Sequence, residues 1–251
     1  MISRYEAYMN GTALSSIDPS IYVLNIQPGD VKQNIRTNKV ANRPGSRIGK
    51  TEIDNASVTI FFEIHEYDTV KRQAICQKVR KWAKKGILEI SDRPGQRLNC
   101  VCDTFPVAKL REWTETLSVS FTAFNPPYWE EKNPVNVSIS GASSASVYIP
   151  GNAPETLVSA VVTCGASISS ITLSAGSKSL ILSEIGASAN DKIYVGYDEN
   201  RILYIKKNST SILEKRTGDD ELVIPCGELV NFAVNASASL STVFSVRGCW
   251  Y

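Results

Sequence analysis

Residues 67–103 read YDTVKRQAICQKVRKWAKKGILEISDRPGQRLNCVCD and predict a helix, a stop and a pair of strands. Asp68 can begin the helix because its carboxylate accepts hydrogen bonds from the open N–H groups of the first turn. Gly86 is predicted to end it as a left-handed C-cap, which places the helix at residues 68–85. The predicted apolar stripe consists of Val70, Ala74, Ile75, Val79, Trp82 and Ala83. The opposite side carries Lys71, Arg72, Lys78, Arg80, Lys81, Lys84 and Lys85.

The rest of this segment predicts two paired strands. Ile87–Ile90 has the length of a short strand, and the turn Asp92-Arg93-Pro94-Gly95 follows it. Leu98, Cys100 and Cys102 then alternate on one face of a second strand. The segment therefore predicts a mainly β protein with one main helix.

Composition allows one large domain or two ordinary ones in 251 residues. The hydrophobic fraction of 43% supports a buried core, and the charged fraction of 21% argues against global disorder. Residues 1–133 carry 19 Lys and Arg against 15 Asp and Glu, a net +4, whereas residues 134–251 carry 8 against 10, a net −2. No apolar run approaches the ~18 residues of a membrane helix. The first residues lack the apolar region of a signal peptide, so we expect synthesis and folding in the cytoplasm.

Residues 32–51 form an unusual basic stretch with no acidic residue. Pro44-Gly45 would break a helix here, so we predict a long extended hairpin or loop. Three roles stay open besides a solvated loop: contact with an acidic surface, with a neighbouring subunit, or with nucleic acid backbone. The candidate interface or channel residues are Lys32, Arg36, Lys39, Arg43, Arg47 and Lys50.

Strand patterns divide the chain into two domains. Val58, Ile60, Phe62 and Ile64 alternate with more polar neighbours and predict a half-buried strand that leads into the helix. Further strands are predicted at residues 107–111 and 117–123, and the prolines of residues 124–129 end the pattern. Short strands with Gly, Asn and Ser turns then recur from Val135 onward, which is typical of a sandwich. The predicted domains are residues 1–133 with the helix and residues 134–251.

The sequence carries no convincing catalytic, cofactor or metal motif. Residues 45–51 resemble a phosphate-binding loop, but the spacing is one residue short and no buried strand precedes them. His65 is the only histidine and lacks converging ligands. The six cysteines contain no CxxC pair, so buried reduced thiols are favoured over a zinc site. We therefore predict that the protein is not an enzyme.

Several short strings occur in the order found in a known protein family. They are residues 58–64 followed by a helix with Lys81-Trp82-Ala83, the turn at residues 92–95, Asn125-Pro126-Pro127-Tyr128-Trp129, Gly151-Asn152, residues 191–195 and residues 222–229. Together they resemble the distal tail protein family of long-tailed bacteriophages, known as Dit. One departure is Cys226, which separates Pro225 from Gly227 where that family has Pro-Gly.

The resemblance implies a structural role and a fold. Its N-terminal domain would be a β-sandwich or split-barrel-like domain with one helix, and its C-terminal domain a galectin-like β-sandwich. Such proteins form a hexameric ring at the tail tip of the virion and leave a channel for DNA. Implied partners are copies of the chain itself, the tail tube protein, the tape-measure protein and tail-associated lysin or tail-fibre proteins. We prefer the basic stretch as an arm that reaches a neighbour, because a lumen that bound DNA strongly would hinder DNA release.

A second function is a host-surface carbohydrate-binding module without ring assembly. Sugar sites on sandwiches need exposed aromatic faces beside polar groups, although aromatic residues more often pack in cores or edges. The candidates are Tyr148, Tyr194, Tyr197, Tyr204 and Tyr251.

Overall fold

The chain forms two compact units, each with its own sheets and core. The computed structural model describes residues 5–29, 33–39, 46–107, 116–198 and 200–251, with the backbone alone for 33–39 and 46–52. One unit ends at Trp129 and also includes Tyr251, and the other is Glu130–Trp250. The predicted class, mainly β with one main helix, is confirmed for the described residues.

The first unit is built on an antiparallel sheet. Its elements are β1 (Ala7–Met9), β2 (Thr12–Ala13), β3 (Ile21–Pro28), β4 (Gln33–Lys39), β5 (Ser46–Ile53), β6 (Ser57–Ile64), α1 (Thr69–Trp82), β7 (Gly86–Ile90), β8 (Gln96–Thr104) and β9 (Thr116–Ala123). The main sheet has the order β2-β1-β7-β8-β9-β6-β3, and β4 and β5 form a two-stranded sheet of their own. The predicted strand at 107–111 lies outside the described residues from position 108 onward. β10 (Trp129–Glu131) spans the boundary between the units.

The core of the first unit lies between the sheet and α1. Every second residue of β6 is buried, from Val58 to Ile64, as the alternation predicts. Trp82 of α1 packs edge-on against Phe121 of β9, with ring centroids 6.0 Å apart. The Trp82 indole N–H also donates to the carbonyl of Thr12 at 2.8 Å. These contacts attach the end of the helix to both the sheet and the β1–β2 hairpin.

The start of α1 is as predicted, but its buried stripe is rotated. Asp68 accepts from the N–H groups of Val70 at 2.8 Å and Lys71 at 3.3 Å. Val70 is 74% exposed and Ala74 is exposed too, so both predictions of burial are wrong. Arg72, predicted on the solvent side, is buried instead. The observed stripe is Arg72, Ile75, Cys76, Val79, Trp82 and Ala83.

Arg72 can be buried because nearby carbonyls satisfy its guanidinium. Its Nη1 donates to the carbonyls of Glu66 at 2.8 Å and Tyr67 at 3.3 Å, and its Nη2 contacts Thr69 Oγ1 at 3.4 Å. A buried charge is costly unless hydrogen bonds replace its water. Arg72 therefore stabilises the segment that enters the helix.

Gly86 is not the predicted left-handed cap. The helix ends at Trp82 with Ala83 as its C-cap, three residues before the predicted end, and Gly86 begins β7. A Cβ on Gly86 would lie 2.3 Å from the Asn10 side chain. Asn10 also accepts from Ile87 N–H through Oδ1 at 2.9 Å and donates its own N–H to Ile87 O at 2.8 Å. Glycine is required here by this close approach, not by backbone conformation.

The second unit contains two antiparallel sheets. Its strands are β11 (Val135–Ser140), β12 (Ser143–Tyr148), β13 (Thr156–Cys164), β14 (Ile171–Ala175), β15 (Lys178–Leu182), β16 (Lys192–Tyr197), β17 (Leu203–Lys207), β18 (Thr210–Ser211), β19 (Arg216–Gly218), β20 (Val223–Ile224), β21 (Leu229–Ala236), β22 (Leu240–Val246) and β23 (Cys249–Trp250), with a 3-10 helix at Leu213–Lys215. One sheet has the order β11-β22-β13-β16-β17-β18, and the other has the order β12-β21-β14-β15-β19.

The two sheets share a core, so the predicted sandwich is confirmed. Phe232 of β21 and Phe244 of β22 come from different sheets, and their ring centroids lie 5.3 Å apart. Leu240, Phe244 and Val246 are buried on one face of β22, as their spacing predicts. Trp250, predicted on the same strand, lies instead on the separate short strand β23.

Candidate interaction surfaces

The predicted basic hairpin is present as β4 and β5, and we call this pair the arm hairpin. Its ladder includes Gln33 opposite Ile53 and Lys39 opposite Ser46. The register shifts between Ile35, opposite Thr51, and Thr37, opposite Ile48. One residue on β4 therefore faces two on β5, which is a β-bulge. A bulge bends the ribbon locally and increases its twist.

The arm hairpin separates two neighbouring strands at the edge of the first unit's sheet. β3 is the edge strand of the path, and β6 is its neighbour. Their ladder ends with Pro28 opposite Val58, and the next residue, Gly29, donates its N–H to Ser57 O at 2.7 Å. The chain thus leaves and rejoins the unit at one end of the β3–β6 pair.

Four of the six candidate basic residues lie on the arm hairpin. Arg36 lies at the bulge, opposite Gly49-Lys50, and Arg47 lies opposite Asn38. Lys39 ends β4. The backbone thus brings Arg36 and Lys50 to the same rung. Lys32 and Arg43 lie outside the described residues.

A second basic surface lies on the exposed side of α1. Its exposed lysines include Lys71 and Lys81 on the helix and Lys84, two residues after the helix ends at Trp82. Lys78 is also exposed and pairs with Asp18, with Nζ and Oδ2 3.0 Å apart. Burial raises the pKa of Asp18, but hydrogen bonds from Lys78 and Ser20 outweigh it and hold that pKa below its usual value. The first unit therefore carries positive charge on both a hairpin and a helix.

The outer face of the β13–β16–β17 sheet carries an exposed aromatic surface. A Cβ on Gly196 would lie 2.6 Å from Tyr204 Oη and 2.8 Å from its Cζ, so the ring lies over this glycine. Lys206 Nζ is 5.1 Å from the centroid of the same ring, within cation–π range. Sequence reasoning proposed Tyr204 but missed Gly196 and Lys206. A glycine inside a strand is the signal that could have found them, because it marks close approach.

The other tyrosine candidates have different surroundings. Burial raises the pKa of Tyr197 to about 12, and its hydroxyl accepts from Leu222 N–H at 3.0 Å, which makes it a structural residue. Tyr148 is exposed and Tyr194 is half-buried. Tyr251 groups with the first unit and not with the sandwich. Tyr204 and Tyr148 are thus the exposed candidates that belong to the sandwich.

The second unit also contains a polar cleft of about 250 Å³. It contains two carboxylates and one guanidinium, and the hydroxyl of Thr156 donates to Arg247 O at 2.8 Å. None of its described lining residues is aromatic, so they offer no ring on which a sugar could stack. Its lining consists of Glu155, Thr156, Leu157, Asn200, Arg201, Glu221 and Val223.

His65 has local partners in the structure. Its Nε2 lies 2.8 Å from Glu63 Oε2, and its ring centroid lies 4.4 Å from that of Tyr22. Within the described residues, no group of three or more His, Cys, Asp or Glu side chains could hold a metal ion. The cysteines are all free. No described helix is both long and apolar enough to cross a membrane.

Comparison with known proteins identifies the fold. No protein-family model matches the sequence, and no curated protein matches it either. The solved structure of SPP1 Dit, a paradigm of the hub adsorption apparatus in phages that infect Gram-positive bacteria, matches with a TM-score of 0.73 and 13% identity. This match covers 97% of the present chain and 98% of SPP1 Dit.

Two structures of the phage P2 baseplate in its activated conformation match less closely. The one with Ca gives a TM-score of 0.52 at 10% identity and covers 99% of this chain and 98% of the other. The one with Sr gives 0.50 at 9% identity and covers 98% of both chains. The resemblance drawn from short sequence strings is thus confirmed for the fold. Over nearly its whole length, this chain has the Dit fold.

Proposed function

We propose that the protein is a structural component of a phage tail tip, a hub that joins the tail tube to the adsorption apparatus. The observation that carries this proposal is the match to SPP1 Dit, which covers both units of this chain and leaves almost no part of either chain unmatched. A hub needs a folded scaffold with contact surfaces more than a catalytic cleft. The surfaces described above, a hairpin with its own sheet and an exposed basic helix face, fit that requirement.

The hub assembles as a homohexameric ring around a channel for DNA. A ring requires heterologous contacts, in which one patch of each copy meets a different patch of the next. The arm hairpin is suited to be one of these patches. An isolated two-stranded hairpin is marginally stable in water, and the described ladder of β4 and β5 pairs only within the hairpin. Contact with an acidic surface of a neighbouring copy would stabilise it.

The experiment is the solution mass of the purified protein by light scattering at several concentrations and salt levels. A ring has six times the chain mass of 27.5 kDa. The triple variant Arg36→Ala, Arg43→Ala and Arg47→Ala tests the arm, and it should shift the mass toward that of one chain. The control variant Lys71→Ala, Lys81→Ala and Lys84→Ala removes equal charge from the basic surface at α1 and should leave the mass unchanged. A triple arm variant that still forms the ring would refute the arm contact.

Further partners follow from the hub role. The ring would contact the tail tube protein and tape-measure protein on one side and a tail-associated lysin or tail-fibre protein on the other, and DNA would cross it only in passage. If the basic residues lined the channel instead, the triple arm variant would keep the ring and lose salt-sensitive DNA retention. Gel retention of duplex DNA at low and physiological salt separates these two roles.

A second candidate function is binding of host-surface carbohydrate by the sandwich. The observation that favours it is Tyr204, a residue that is 38% exposed and whose ring lies over Gly196 with Lys206 beside it. A flat aromatic face can stack on a sugar ring. Glycan-array binding by the full chain, compared with that of Tyr204→Ala, tests this function. Signals that are equal for both proteins, or absent from both, exclude Tyr204 as a sugar platform.

A further inference from the structure

Cys226 and Cys249 lie together in the second unit, although 23 residues separate them. The backbone N–H of Cys249 donates to Cys226 Sγ at 3.3 Å. Both cysteines are free thiols, and Cys226 is the residue that interrupts the Pro-Gly string. Cys226 lies just after β20 and Cys249 begins β23, so the contact joins these two segments.

The backbone around the two thiols is held by one short segment. Cys226 N–H donates to Ala153 O at 3.1 Å, and Ala153 N–H donates to Cys249 O, also at 3.1 Å. Gly151 lies between the cysteines with a φ of +123°, and a Cβ there would be 2.9 Å from Cys226 Cβ and 2.2 Å from Cys249 O. Glycine is needed at this point for both reasons. It allows the two cysteine-bearing segments to approach each other.

We propose that Cys226 and Cys249 form an oxidisable dithiol, a site at which a small-molecule disulfide produces an intramolecular disulfide. A disulfide needs two cysteines whose side chains lie next to each other, and the 3.3 Å contact between Cys226 Sγ and Cys249 N places one thiol directly beside the backbone of the other cysteine. The inference concerns the second unit alone, so it holds whether or not the ring forms.

The two thiols differ in the order in which they react. Cys226 is 7% exposed and Cys249 is fully buried, so the oxidant reaches Cys226 first. A hydrogen bond from the Cys249 thiol lowers the pKa of Cys226, which favours the reactive thiolate. The same interaction raises the pKa of Cys249, which keeps its proton until the second step.

With oxidised glutathione the reaction balances in two exchanges. The Cys226 thiolate attacks one glutathione sulfur, breaks the S–S bond and releases one glutathione thiolate. Cys249 loses its proton to solvent and attacks the Cys226 sulfur, which releases the second glutathione. The protein loses two hydrogen atoms, and one oxidised glutathione becomes two reduced molecules. The new bond closes a loop that contains β21 and β22, one strand from each sheet.

The test uses the full folded chain, incubated with oxidised glutathione well below its unfolding temperature. Trypsin cleaves after Arg216 and Arg247, so the disulfide links peptide 217–247 to peptide 248–251. We expect this linked peptide in the oxidised protein and its loss after dithiothreitol. We also expect Tm to rise by several degrees on oxidation and to return on reduction, because the cross-link restricts the unfolded chain.

Variants give the control. Cys164→Ser removes another buried cysteine of the same unit and should keep the linked peptide. Cys249→Ser should stop at a single glutathione adduct on Cys226. If Cys249→Ser fails to fold, the Tm of the wild-type chain still decides the question, because it should rise on oxidation and return on reduction. A folded wild-type chain that stays reduced, or that collects a Cys226 adduct without the linked peptide, would overturn the proposal.

Discussion

The arm hairpin and the hairpin β16–β17 are both antiparallel pairs of consecutive strands, but they differ in what lies beside them. β16 pairs with β17 on one side and with β13 on the other, and Ile193, Val195 and Ile205 are buried. The arm hairpin forms a two-stranded sheet and carries basic residues where the other hairpin has apolar ones. A hairpin with alternating apolar residues is therefore held by its own core. Among the described residues, the strands of the polar, basic arm hairpin pair only with each other, which is why we propose that another surface covers it.

The largest expected effect comes from removing the arm hairpin. Replacing residues 30–53 with a short Gly-Ser linker between Gly29 and Asp54 should convert a ring into single chains, because the contact patch is gone. The Tm of the single chain should change little, because the described ladder of the arm is internal. Light scattering and thermal unfolding measure the two effects.

The matched excision of residues 192–207 should instead prevent the second unit from folding, because it removes core residues and exposes β13. A ring that survives loss of the arm hairpin would show that the arm is not the contact between copies.

Ile205→Ala tests the anchored hairpin by removing a fully buried side chain of β17. A cavity in a packed core should cost about 2 to 5 kcal/mol in the free energy of unfolding. Chemical denaturation followed by fluorescence measures it. Ile202→Ala is the control, because Ile202 is 62% exposed just before β17, and it should cost less than about 0.5 kcal/mol. Equal costs for the two variants would mean that burial does not anchor this hairpin.

These two hairpins also show what the sequence could and could not predict. The anchored hairpin follows from alternation alone, because burial of every second residue leaves a period of two in the sequence. The arm hairpin was predicted as an extended element that reaches a neighbouring copy, and that contact stays a prediction because a single chain does not contain the partner. Residue type can show that a surface is available, whereas the identity of what covers it needs a second molecule.

The wrong predictions for α1 also concern contacts that a local sequence pattern does not show. The cap at Asp68 was predicted because its partners are two and three residues away. Arg72 was assigned to solvent by its charge, but carbonyls of the preceding loop bind it, and their positions depend on the loop fold. Gly86 was assigned by type to a helix cap, but its reason is Asn10, which is 76 residues away in the sequence. Local interactions were predicted, whereas those that depend on the folded chain were not.

Asp198→Ala tests how much the turn contributes to the anchored hairpin. Its Oδ1 accepts from the N–H groups of Asn200 at 2.8 Å and Ile202 at 2.9 Å. Loss of both bonds should cost about 1 to 2 kcal/mol in the free energy of unfolding, less than the core cavity. Denaturant midpoints measure it, and Asp198→Asn should recover most of the loss because its amide oxygen can still accept. No loss in the alanine variant would show that the strands alone set the register.

The smallest effect is expected at the open end of the same hairpin, where Asp191 accepts from Ser188 N–H at 2.8 Å and from Asn208 Nδ2 at 2.9 Å. These hydrogen bonds hold the pKa of Asp191 below its ordinary value of 3.8. The unfolded state therefore binds more protons than the folded state in the acid range. The stabilisation is complete above pH 3.8 and is lost as the pH falls through the lowered pKa. Asp191→Asn should thus be slightly less stable than the wild type at pH 7, and the gap should close in strong acid. Midpoints from urea titrations between neutral and acid pH measure it, with Glu228→Gln as the control for net charge. A difference in stability between Asp191→Asn and the wild type that stays constant with pH would mean that Asp191 acts through its shape and not through its charge. The open end of the hairpin would then be held by its buried strand face and not by a charged group.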